Sequence, residues 1–78
     1  MEPDDIADRV EKIVAALVEA RTSAGLSQYR LAELTGLSRE AIRLIESGQR
    51  IPSLHTFLLL CAALEVDTAA LFRDSDAS

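Results

Sequence analysis

The chain is organised as short apolar strings at helical spacing, each closed by a glycine, a proline or a polar cluster. Ile6, Val10, Ile13, Val14, Leu17 and Val18 recur three or four positions apart until Gly25, the interval that stacks side chains on one face of an α-helix. Pro3 is tolerated in a first turn, and Asp4 and Asp5 suit its positive end. The pattern therefore predicts a first helix of roughly twenty residues, longer than the usual ten to fourteen. Ser27 supplies the cap of a second helix closed by Gly36, with Leu31 and Leu34 inward; Ser38 caps a third closed by Gly48, with Ala41, Ile42 and Ile45 inward. Ile51-Pro52 forces an extended step. Ser53 then caps a fourth helix, SLHTFLLLCAAL, and Asp67 a short fifth, TAALF, leaving a polar tail over 74–78 that is expected to fray. No stretch alternates with period two, so the class is all-α.

The second and third helices, separated by a glycine-containing turn, outline a helix-turn-helix over about residues 27–47. With 78 residues the chain suits one domain, 1–78, around one small core. The lone Cys61 excludes an internal disulfide, and between Leu60 and Ala62 it reads as a buried thiol. One cysteine and no signal-peptide pattern point to the cytoplasm. The longest apolar run, Phe57 to Leu64, is too short to span a membrane. His55 has no acidic or cysteine neighbour at ligand spacing, and neither a nucleophile turn nor a glycine-rich loop occurs. No metal, no cofactor and no catalytic residue is expected.

Charge changes the picture only when divided along the chain. The formal net charge is -5, yet residues 21–50 carry five basic side chains against three acidic ones, all five being arginine: Arg21, Arg30, Arg39, Arg43 and Arg50. A polyanion responds to local potential rather than to the total. On a helical wheel of about 100° per residue with Arg39 at zero, Arg43 falls at about 40°, Glu40 at about 100° and Leu44 at about 140°. Ala41, Ile45 and Ile42 occupy the opposite side. The outward set suits base edges: arginine for guanine, a carboxylate for the cytosine amino group, leucine for a thymine methyl. The same face also reads as a solvated stripe of ion pairs, since Glu40–Arg43 and Arg43–Glu46 are both i, i+3.

The stretch Arg21–Phe72 resembles the Cro/C1-type helix-turn-helix (XRE) family of small transcription regulators. The resemblance is carried by GLSQ at Gly25 to Gln28, LAELTGLS at Leu31 to Ser38, IESG at Ile45 to Gly48, Pro52-Ser53 and the closing ALEVDTAALF. By length the chain is similar to stand-alone members such as restriction-modification controllers and some antitoxins. The resemblance implies a five-helix fold, here with an extended first helix, a dimer and a double-stranded DNA operator. It places Ser38, Arg39, Glu40 and Leu44 at base-reading positions, beside Arg43. Gln28 and, next to it, Ser27 fall where the family holds the DNA backbone, as do Ser47, Gln49 and Arg50 in the following loop; Ser27 and Gln28 would cap their helix in any case. Tyr29 is assigned to a phosphate, the alternative being a cover for the second helix. Arg21 and Glu46 match a structural pair. A leucine at 44 and an arginine at 43 depart from the usual pattern, as does a carboxylate at 40.

The fourth helix is apolar nearly all round, which usually means burial all round. Phe57, Leu58, Leu60, Cys61 and Leu64 are therefore expected at a homodimer interface, with Ile6 and Val10 as a possible extension. The leading expectation is a homodimeric, sequence-specific DNA-binding transcription regulator, a repressor first and a dual repressor and activator second, reading a pseudo-palindromic operator through the third helix. The alternative is a protein-interaction module, an antitoxin-like partner using the apolar face of the fourth helix.

Overall fold

The structure, a computed structural model, describes residues 2–76, and within them every element is helical: α1 (Pro3–Ser23), α2 (Gln28–Thr35), α3 (Arg39–Glu46), α4 (Leu54–Leu64) and α5 (Thr68–Asp76). The caps read from sequence are in place as hydrogen bonds. The Ser27 hydroxyl accepts from the Arg30 N–H at 3.0 Å, Ser38 from Ala41 at 3.0 Å and Ser53 from Thr56 at 3.1 Å. The Asp67 carboxylate accepts from Ala69 at 3.0 Å. Each satisfies a backbone donor that the first turn of a helix leaves unpaired.

α1 packs against α3, α4 and α5, and α2 packs against α3 and α4. The side chains that fill the space between them are Leu17, Leu31, Ala32, Ile42, Ile45, Phe57, Leu60, Cys61 and Leu71, with Leu31 and Ile42 fully buried. Phe57 and Phe72 add a tilted aromatic pair, ring centroids 5.9 Å apart.

Three expectations need correction. Leu34 is exposed and Ala32 is buried in its place. On α2 the buried arc runs from Leu31 through Thr35 to Ala32, spanning about 100°, and Leu34 falls about 60° outside it. On α4, Phe57, Leu60 and Cys61 are buried in the chain's own core and are not available to a partner, and Leu64 packs against that core. The helix turns its other side outward, so that Leu58 is exposed together with Leu54 and Ala62. Finally, α5 does not fray at residue 74. It continues to Asp76, and Ser75 is buried. The remainder of the expected tail, residues 77–78, lies outside the described residues.

Candidate nucleic-acid interface

The turn between α2 and α3 depends on Gly36, whose φ of +76° lies in the left-handed region that a side chain disfavours. It lets α2 stop after two turns and α3 start at Ser38. Ile42 and Ile45 then anchor α3 from behind, and Ala41 and Leu44 are half-buried at its edges. Ser38, Arg39, Glu40 and Arg43 remain exposed on the front. Leu44 is thus only partly outward, and the Ser38 hydroxyl is engaged as the cap.

The exposed charges are not equivalent. Glu40 binds the Arg43 guanidinium twice, Nε to Oε2 at 3.1 Å and Nη2 to Oε1 at 2.5 Å. The hydrogen bond and charge of Arg43 hold the Glu40 carboxyl below the usual carboxylate range, with a lesser contribution from Arg50. Arg39 and Arg50 are exposed, and their side chains enter no ion pair or hydrogen bond among the described residues. Arg30, expected only as part of the basic segment, pairs with Glu33 at 3.3 Å.

Behind this face a polar joint fixes the helices. Arg21 donates from Nε to Glu46 Oε2 at 2.7 Å and from Nη2 to Oε1 at 2.9 Å, and its Nη1 donates to the Leu26 carbonyl at 2.8 Å. Both side chains are mostly buried, 13% and 14% exposed. The Gln28 amide also donates to Glu46 Oε1, at 2.9 Å. Gln28 therefore belongs first to this joint, and what it has left for a ligand is its carbonyl oxygen and one amide hydrogen. Tyr29, one residue on, is exposed.

The loop after α3 is drawn tight by one acceptor. The Leu44 carbonyl accepts from the Gln49 N–H at 2.9 Å, the Arg50 N–H at 3.2 Å and the Ser47 hydroxyl at 3.0 Å. The Gln49 amide reaches the same hydroxyl at 3.0 Å. Ser47, Gln49 and Arg50 are thereby placed together and exposed at the end of α3.

A feature the sequence did not announce lies between α1 and α5. Arg9 donates from Nη2 to the Phe72 carbonyl at 2.7 Å and from Nε to Ser75 Oγ at 3.2 Å, joining the extended part of α1 to the end of α5. Nothing local marks a contact 66 positions apart. A surplus arginine in the acidic segment before residue 20 is the single hint.

Comparison with known proteins shows where this arrangement belongs. The Helix-turn-helix family matches residues 17–71, from the last turns of α1 to the middle of α5. The chain belongs to the XRE-type helix-turn-helix family of DNA-binding transcription regulators. Its members are not enzymes. The regulator is 35% identical over 54 residues to the uncharacterized HTH-type transcriptional regulator YgzD of Bacillus subtilis, covering 69% of this chain and 82% of the relative. It is 38% identical over 52 residues to an uncharacterized HTH-type transcriptional regulator of Haemophilus influenzae, covering 67% of this chain and 53% of that one. Among solved structures it is similar to a tyrosine-to-alanine mutant of the restriction-modification controller protein C.Esp1396I. The TM-score is 0.77 at 26% identity, over 87% of this chain and 88% of the other. The five-helix fold of the regulator is thus the Cro/C1 type. Among the described residues no single helix is long and apolar enough to cross a membrane, and no group of three His, Cys, Asp or Glu side chains could hold a metal.

Proposed function

We propose that the regulator acts in the cytoplasm as a homodimeric repressor that inserts α3 into the major groove of a pseudo-palindromic double-stranded DNA operator. The observation that carries this reading is the division of α3: Ile42 and Ile45 are buried, while Arg39, Glu40 and Arg43 stand exposed on the front. In this assignment Ser38, Arg39, Glu40, Arg43 and Leu44 face base edges. Ser27, Gln28, Tyr29, Ser47, Gln49 and Arg50 face the phosphates on either side. The whole chain, 1–78, serves as one binding unit.

Exposed apolar surface supports the dimer. Ile51 is 75% and Leu54 72% exposed, and Leu58 follows Leu54 one turn along α4. Ile51 and Phe72 also line a shallow apolar pocket of about 140 Å³ with Pro52 and Phe57. Ile51, Leu54, Leu58 and Phe72, all exposed, replace Phe57, Leu60 and Cys61 as the proposed seam. A two-fold pair joined there would read half-sites about 34 Å apart, one turn of DNA. The likeness to a restriction-modification controller protein supports placing the regulator among small transcription controllers.

A mobility-shift titration with the DNA upstream of its own gene tests the reading. The expected result is a complex of one dimer per site whose affinity falls steeply with salt. The same apolar stripe favours a second reading, an antitoxin-like module whose Leu54 and Leu58 cover another protein. Light scattering separates the two, because a pure chain that stays monomeric and ignores DNA is the outcome expected of the module.

A further inference from the structure

The Glu40–Arg43 pair has a geometric consequence beyond its charge. Both side chains are exposed, 63% and 49% respectively, one turn apart on the front of α3. A pair so exposed adds little to folding, and a carboxylate on a surface that meets phosphates works against affinity. A planar guanidinium carries five N–H donors. Glu40 takes the Nε–H and one Nη2–H. What is left is the other Nη2–H and the two on Nη1, a two-pronged edge without a partner among the described residues. Two parallel donors of that spacing match the O6 and N7 acceptors that guanine presents in the major groove. An arginine already held in one orientation also loses less rotamer freedom on contact than a mobile one. Arg39, one turn earlier and without a side-chain partner among the described residues, has no such support.

Resting on the DNA-binding reading above, we propose that Glu40 is a positioning residue. It holds Arg43 as a fixed reader of one guanine in each half-site, giving up some attraction to phosphates in exchange for selectivity. The direct alternative, in which Glu40 itself accepts from a cytosine amino group, predicts a different base pair and a different mutant pattern.

The test uses the full chain. DNA sites are selected from random sequence by the parent, E40Q and R43K. Each protein is then titrated on the parent's selected site, on that site with the Arg43-dependent guanine changed to adenine, and on random-sequence DNA. The parent should prefer the guanine roughly ten- to hundredfold. R43K keeps its charge but lacks the fork, so its preference should shrink to a few-fold, a larger change than any in its affinity for random DNA. E40Q should lose most of the same preference at the same base pair, yet bind random DNA a few-fold more tightly because a negative charge has left the phosphate-facing surface. A merely structural role for Glu40 would weaken all three DNAs together. The proposal is overturned if E40Q discriminates as the parent does, or if it loses a cytosine preference at another base pair and keeps the guanine. A parent that selects no DNA sequence removes the regulator reading and this inference together. Selective binding that is indifferent to E40Q removes this inference alone.

Discussion

Arg21 and Glu46 lie 25 positions apart and meet edge to edge, with Nε at 2.7 Å from Oε2 and Nη2 at 2.9 Å from Oε1. Removing either partner leaves a largely buried charge unpaired. Arg21→Ala or Glu46→Ala should cost about 3 kcal/mol, much of the roughly 4–12 kcal/mol available to a chain of this size. Urea unfolding measures the loss. Arg21→Met combined with Glu46→Leu should recover most of it, and a double variant no better than the singles would contradict the account.

Arg9→Ala should loosen α5 selectively. It removes one donor to the Phe72 carbonyl and one to Ser75 Oγ, leaving only the Ser75 hydroxyl's own bond to that carbonyl, a loss of about 1–2 kcal/mol at typical hydrogen-bond values. Amide hydrogen exchange should accelerate in residues 68–76 and stay slow at Leu31 and Ile42.

Two helix ends give substitutions of opposite sign. Gly36 has a φ of +76°, and an added Cβ there would meet nothing within 4 Å, so Gly36→Ala should cost only backbone strain, about 1–2 kcal/mol. Glu65 closes α4 with a φ of +56° despite carrying a side chain. Glu65→Gly should stabilise by about 0.5–1 kcal/mol. At about 4–8 °C per kcal/mol for a small domain, thermal melting resolves both.

Arg50 is exposed in the tight loop after α3 and its side chain has no protein partner among the described residues. Arg50→Ala should weaken binding almost equally on all sequences and lower the slope of log affinity against log salt by about 1. A change of base preference instead would move Arg50 from the phosphates to the groove.

The Glu40 carboxyl is lowered by its bond to Arg43. A depressed folded-state pKa means that the pair is intact above the usual carboxylate range and is lost as pH falls through the lowered value. Carboxyl chemical shifts should therefore place the Glu40 transition below that of an ordinary glutamate, and Arg43→Ala should move it back towards the ordinary range. Activity at neutral pH should not change with protonation of this group.

The helix starts were legible because they are local. Ser27, Ser38 and Ser53 each cap a helix from a position visible in sequence, and Gly36 marks the turn that aims α3. The divided face of α3 was legible for the same reason: isoleucines on one side and charges on the other leave one way to pack it. α4 was not, because a helix apolar all round carries no signal for which side meets the core. Leu60 went inward and Leu54 outward although they are chemically alike. The partner of Arg43 was among the pairs that spacing allowed. Those of Gln28 and Arg9 depend on elements brought together only in the folded chain.

One carboxylate, that of Glu46, receives donors from the last turn of α1 and the first residue of α2 while ending α3 itself. Three rods that share a vertex behave as a tripod. Tilting the front of α3 would strain the other two legs, so that under the proposed mode of binding it is presented to a duplex as a finished template. Under the proposed mode of binding, a mismatch of shape is taken up by bending or twisting the DNA, so that sites whose base steps yield easily should be favoured over stiff ones with the same contacted bases.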